Sequence, residues 1–352
     1  MTTGEMHVEK SRQSALIGTL LGTALGDALG LPAEGMRPRA IQRRFGDLTR
    51  FHLLGRTGFV SDDTEQSALV AQSLLRARGQ GSFDLDQLER QTRRALVGWF
   101  LRLPFGVGLA TLRACVRMLL GIKRSGVDSA GNGAAMRAPI LGVTLCEQQE
   151  LRRAAGRRVA ALTHRDPRAV EGALFAAELA ARAAATAPQA DRAALARQAL
   201  SVVTNEELEA ALENAIGLDA AGTSPWDAAL ALGTSGYVVH SLAFALFCFL
   251  RHGAHPLSAL QVCIAAGGDT DTSAAMVGAW CGALGGEECL PPELVGRIHD
   301  GPFGPGHLRA LGRALAVPAG SVPGFAWSRA LLRNVLLFPV ILAHGLRRLL
   351  PF

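Results

Sequence analysis

Aromatic side chains are scarce in this 352-residue chain, at 5% of the total with a single Tyr. Ala and Leu are abundant instead, a composition that favours helix over sheet. No stretch sustains the apolar–polar alternation of a half-buried strand, and no Gly/Ser-rich linker divides the chain. Charged residues are also few, 19% against 49% apolar, which excludes bulk disorder. The six cysteines, Cys115, Cys146, Cys248, Cys263, Cys281 and Cys289, show no CxxC spacing and mostly sit in apolar helical runs. That argues for reduced, buried thiols in a cytoplasmic protein, against disulfides or zinc. The net charge of +6 comes from scattered Arg, with no basic block interleaved with aromatics. A groove for single-stranded nucleic acid needs such a block, so no specific nucleic-acid binding is expected. The polar, acid-containing start, MTTGEMHVEKSRQS, lacks the make-up of a signal peptide.

What remains is a series of helical segments. Residues 14–29 form the first, with Gly22, Gly26 and Gly30 spaced for close helix–helix approach. Such spacing also occurs in membrane helices. Asp27 inside the segment and Pro32 after it favour a tightly packed soluble helix. A second helix opens at Ser61, and others are readable at 86–101, 108–120, 134–146, 151–163, 168–185, 192–204, 206–218, 238–251, 257–266, 272–284 and 293–300. The expected fold class is all-α, in a single domain. Residues 1–13 read as a flexible lead, 14–327 as the domain, and 328–352 as an apolar and basic helical extension. Pro339 interrupts the extension's apolar run, leaving it too short to span a bilayer. Docking on the core is the expectation for it; the amphipathic Arg347–Arg348 end leaves open an interfacial anchor.

Three motifs carry chemistry. Ser61-Asp62-Asp63-Thr64 opens a helix, where Asp62 and Glu65 could equally form a capping box. Gly267-Gly268-Asp269-Thr270-Asp271-Thr272 sets four short polar side chains between apolar runs. Carboxylates crowded together away from water raise one another's pKa, a penalty that a bound cation removes. Four Asp with hydroxyls make an all-oxygen donor set, which suits Mg2+ or Mn2+ and not zinc. Their number suggests two divalent metals bridged by shared carboxylates, an arrangement that activates water in many hydrolases. Third, Ser129-Ala130-Gly131-Asn132-Gly133 leads into a helix and offers backbone N–H groups to an anion.

GDALGLPAEG, SDDT, SAGNGAAMR, THRDP and GGDTDT, in that order over roughly residues 14–325, resemble the ADP-ribosylglycohydrolase family. That family includes the glycohydrolase that reactivates ADP-ribosylated dinitrogenase reductase and the ADP-ribosyl-acceptor hydrolases. The resemblance implies a single compact orthogonal all-α helical bundle with a dinuclear metal site in a cleft, its ligands Ser61, Asp62, Asp63, Asp269, Asp271 and Thr272, with Ser61 where family members often carry Thr. It places Glu34 beside the metals as acid or base, with Asp62, Asp63 and Asp271 in the catalytic centre. Ser129, Gly131, Asn132 and Gly133 fall where the family holds the diphosphate and distal ribose. His164 matches a ligand-contacting histidine, and Gly236 and Tyr237 the nucleoside contacts, where Tyr237 could stack on adenine. The implied partner is an ADP-ribosylated protein or an ADP-ribose-containing small molecule.

The sequence departs from arginine-specific relatives at Phe105-Gly106-Val107-Gly108, where those carry an acid in a short DIG-like stretch. O-linked ADP-ribose, on Ser or on a small metabolite, therefore stays open as substrate. So do O-acetyl-ADP-ribose, an ADP-ribosyl-nucleobase, and ADP-ribose binding without turnover.

Overall fold

The computed structural model describes residues 3–78, 83–318 and 320–348. It carries seventeen α-helices and no named strand among the described residues. The first half comprises α1 (Thr3–Gly30), α2 (Pro38–Phe45), α3 (Asp62–Ala77), α4 (Leu85–Phe100), α5 (Leu109–Leu119), α6 (Pro139–Thr144), α7 (Gln149–Ala161) and α8 (Pro167–Ala184). The second comprises α9 (Arg192–Ala199), α10 (Glu206–Ala220), α11 (Pro225–Leu232), α12 (Val238–His252), α13 (Pro256–Ala265), α14 (Thr270–Gly285), α15 (Pro292–Val295), α16 (Pro305–Ala316) and α17 (Trp327–Arg348).

α1 begins well before Ser14 and takes in most of the stretch read as a lead; residues 1–2 lie outside the described residues. The helix expected over 134–146 is instead a 3-10 turn at Asn132–Ala134 followed by the shorter α6, because Pro139 restarts the helix at its own first turn. α2, α11 and α16 each open on a proline too, and were not legible as periodic runs.

Helices that are apolar around their whole circumference must lie inside. α14 and α12 satisfy this: residues 270–284 are all buried, as is almost every residue of α12. α1 packs lengthwise against α14. A Cβ on Gly22 would stand 2.0 Å from the carbonyl oxygen of Gly278, and one on Gly282 would stand 2.0 Å from that of Gly18. One on Gly26 would stand 2.1 Å from the oxygen of Ala274. The two backbones touch, and only glycine allows it. α1 is accordingly a core helix, its apolar 22-residue stretch 94% buried.

α17 continues unbroken through Pro339 for 22 residues. The proline removes only the bond to the carbonyl of residue 335, which lies on the exposed side of the helix where solvent replaces it. Its other side docks: Ala330, Arg333, Asn334, Leu337 and His344 are buried. Residues 349–352 of the extension lie outside the described residues.

Gly278→Ala therefore forces α1 and α14 apart and lowers stability by about 3 kcal/mol, read by urea denaturation. Gly217→Ala, on α10 with nothing within 4 Å of the added carbon, raises it by about 0.5–1 kcal/mol.

Candidate active site

Five helix starts are capped by their own residues: Asp84, Asp166, Asp191, Asn205 and Ser224 each accept a backbone N–H with their side chain. α3 and α14, which carry the two acidic motifs, are not. Neither Ser61 nor Asp269 makes a side-chain cap. The cap of α3 arrives from α1 instead. Asp27, fully buried, accepts the backbone N–H of Ser61 at 2.9 Å and of Thr64 at 3.1 Å, with their hydroxyls at 2.7 and 2.5 Å. Glu65 does not close a capping box either. It accepts from Trp99 Nε1 at 2.7 Å and pairs with Arg333 of α17. The polar residues of both motifs are thus free of ordinary helix-start duties.

Gly30 ends α1 against the backbone of Thr270 and Asp271, so the close α1–α14 contact leads directly into the acidic motif. Gly268, at φ +80°, turns the chain there, and a Cβ on it would meet the oxygen of Thr234 at 2.1 Å. Asp62, Asp63 and Asp271 are buried, and their carboxyls are pushed well above the usual carboxylate range. Burial is the largest cause for each. The charges of Asp271, Asp27, Glu34 and Asp269 add to it for Asp62; those of Asp62, Asp27 and Asp269 add to it for Asp63. Glu34, Asp269, Asp63 and Asp27 do the same for Asp271. Thr272 Oγ1 donates to Asp63 Oδ2 at 3.4 Å, and Gln66 Nε2 to Asp62 Oδ2 at 3.2 Å.

Among the described residues, no three His, Cys, Asp or Glu side chains are drawn into a ready coordination sphere. The donors nevertheless fit a divalent cation. They are all oxygen, Asp63 Oδ1 is buried without a partner, and the neighbouring carboxyls are short of positive charge. The hydroxyl of Ser61 gives its proton to Asp27, which leaves its lone pairs for a cation.

The glycine turn lies against the same acids. Asn132 Nδ2 donates to Asp269 Oδ2 at 2.7 Å and to Ser241 at 3.1 Å, and a Cβ on Gly236 would stand 2.9 Å from Asp269 Oδ2. Segments 130–132 and 236–238 pair through Asn132 N to the Gly236 oxygen and Val238 N to the Ala130 oxygen. Ser129 accepts the Gly131 N–H at 3.4 Å. His164 underlies the turn: carbons added to Gly131 and Gly133 would crowd its ring at 3.3 and 3.0 Å. Burial and then the Arg137 charge pull its pKa down to about 3, so the imidazole is neutral. Arg137 donates to Thr163 Oγ1 at 2.5 Å, and that hydroxyl lies 2.8 Å from His164 Nδ1. The Thr163 hydroxyl, tied to both, fixes the orientation of the ring beneath the turn. Tyr237 directs its hydroxyl to Glu207 at 2.5 Å and carries the Arg168 guanidinium over its ring at 5.4 Å. One face of the ring is therefore already occupied.

The candidate metal ligands thus come together from two remote stretches, 61–63 and 269–272, with the 129–133 turn against Asp269. Two contributors were not singled out by the sequence. Asp27 was visible only as a lone acid in a small-residue helix. Gly106, at φ +80°, lies so close to Asp62 that a Cβ would stand 2.7 Å from Oδ1. The stretch 105–108 is therefore a wall of the site. Phe105 anchors it in a small apolar cluster with Leu31, Leu53 and Leu337 of α17.

The raised carboxyls hold protons in the folded chain that the unfolded chain has already released above about pH 4. Stability in metal-free buffer therefore falls as pH rises above about 4 and through the range in which the folded carboxyls ionise. Thermal melts in chelator should show this, and Mg2+ or Mn2+ should raise the melting temperature more at the upper pH. Asp27→Asn, which loosens the α3 start without removing a ligand, should lower affinity for Mn2+ by about 10–100-fold in calorimetry.

The family model for ADP-ribosylglycohydrolase matches residues 9–321. ADP-ribosylhydrolase ARH3 of Gallus gallus is 26% identical over 278 residues, which cover 66% of this chain and 71% of that protein. A solved structure described as an ADP-ribosylglycohydrolase-related protein complex superposes with a TM-score of 0.69 at 29% identity. The overlap covers 88% of this chain and 99% of that one. A match over nearly the whole domain, on a shared all-helical fold, establishes that this chain belongs to the ADP-ribosylglycohydrolase family.

Proposed function

We propose that this protein is a divalent-metal-dependent hydrolase that releases ADP-ribose from an O-linked acceptor. The observation that carries the reading is the gathering of Asp62, Asp63, Asp269 and Asp271 with Glu34 beside the Asn132 turn. Family membership supports hydrolysis of an ADP-ribose linkage, and the family generally depends on divalent metal.

Ser61, Asp62, Asp63, Asp269, Asp271 and Thr272 would hold the cations. When bound, these supply the positive charge that ionises the buried acids and makes nearby water more acidic. The chain's own residues do the rest. Asn132 fixes Asp269, and the turn at 131–133 takes the diphosphate and distal ribose, with the neutral His164 ring beneath it. Tyr237 and Gly236 border the nucleoside end. Glu34 is half-buried, and its charge is felt by both Asp62 and Asp271. It is placed to move a proton to or from the leaving group or water as the ribosyl centre gains oxocarbenium character.

The O-linked assignment rests on the wall at 105–108, which brings no acid to Asp62 to receive a guanidinium. A panel of ADP-ribosyl-serine peptide, ADP-ribosyl-arginine peptide and O-acetyl-ADP-ribose, followed by mass spectrometry with Mg2+ or Mn2+, tests it. Release of ADP-ribose from the O-linked substrates is expected, with loss of about 100-fold or more in Asp62→Asn and Asp271→Asn. ADP-ribose binding without release from any of the three would show a binding protein instead.

A further inference from the structure

The side of α17 that faces away from the domain is apolar without interruption over most of its length. Leu332, Val335, Leu336, Phe338, Leu342 and Leu346 are 49–63% exposed. At 100° per residue they spread over an arc of roughly 160°. A stretch of 20 residues here is as apolar as the α1 stretch, yet only 28% of it is buried, against 94%. Leu332 and Leu336 also line a cavity of about 910 Å3 between α17 and the 299–307 region. The helix lies beyond residue 321, where the family match ends.

Charge identifies what covers this face. From Gly301 to Phe352 the sequence holds no acid, while Arg329, Arg347 and Arg348 belong to α17. Arg329 is exposed. A second copy packed on the same face would bring two such acid-free, arginine-bearing helices together with no carboxylate on either to offset the charge. Anionic headgroups over an apolar layer satisfy both the leucines and the arginines. The helix, roughly 33 Å long, could cross a bilayer by length. Its other side prevents that. Arg333 is the buried partner of Glu65 and donates to the Pro302 oxygen at 3.0 Å, and Asn334 donates to the Arg102 oxygen at 2.9 Å. Lifting the helix into the bilayer would leave Glu65 buried without its counter-charge.

We propose that α17 is a membrane-surface anchor: it lies flat on an anionic bilayer through this leucine-rich face while its opposite side stays docked on the domain. The test is co-sedimentation of the full chain with phosphatidylcholine vesicles, with and without phosphatidylglycerol, combined with light scattering. Pelleting with the anionic vesicles, weakened by salt, is expected. Leu336→Glu with Leu342→Glu should lower vesicle affinity at least about tenfold, with the melting temperature and solution hydrolysis unchanged. Arg329→Glu, which keeps the apolar face and the fold, should erode the preference for anionic vesicles. Failure to pellet with either vesicle type overturns the proposal, as does equal pelleting with both. A dimer in solution that the double variant dissociates overturns it in favour of a second copy.

Discussion

The direct contact between the backbones of α1 and α14 holds the structure's chemistry together. Glycine steps along both helices remove every side chain that could keep them apart, from Gly18 and Gly282 to Gly30 at the start of α14. The contact costs conformational entropy at each glycine. It returns a rigid pair in which Asp27 and Asp271, far apart in sequence, approach to where each feels the other's charge. Asp27 then reaches across to hold the start of α3, which brings Asp62 and Asp63 to the same place. Three helix ends are fixed by one close contact and one buried carboxylate.

Such an assembly holds a tension that the fold does not relieve by itself. Acids that feel one another in a buried setting are each driven toward the protonated form, and the buried guanidiniums near them are held elsewhere, Arg333 by Glu65 and Arg137 by Gln66, the Gly133 oxygen and Thr163. The scaffold is instead strong enough to carry the strain: α12 and α14 are buried all round, and Trp280 and Phe249 fill the core beside them. Function here draws on stability supplied elsewhere in the bundle.

The sequence revealed the all-helical class and the two acidic motifs for definite reasons. Long helices such as α4 and α8 have plain periodicity, and four polar residues between apolar runs at 269–272 demand an explanation. The GxxxG spacing likewise announced a close approach, though not its partner. Short helices that begin on proline, α2, α11 and α16, carry too few turns for a periodic signal, and Pro339 looked like a break because sequence does not show which side of a helix faces solvent. Asp27 was passed over because its role is a bond to α3, a long-range fact. Gly106 was read only for the acid it lacks, since nothing local says that a loop residue will rest on Asp62. The capping-box alternative for Asp62 and Glu65 failed for the same reason: the partners of Glu65, Trp99 and Arg333, come from distant helices.

If the wall at 105–108 faces the acceptor, as the proposed function has it, it limits how the choice of acceptor can evolve. A side chain at Gly106 would be strained at φ +80° and would press on the Asp62 carboxylate, Phe105 is tied into the α17 cluster, and Val107 packs against the core. Gly108 alone has open space and an ordinary backbone conformation, at φ −62°. A lineage that came to recognise a cationic acceptor from this side would have one position in which to place the new charge, and the rest of the loop would have to be rebuilt before a second could follow.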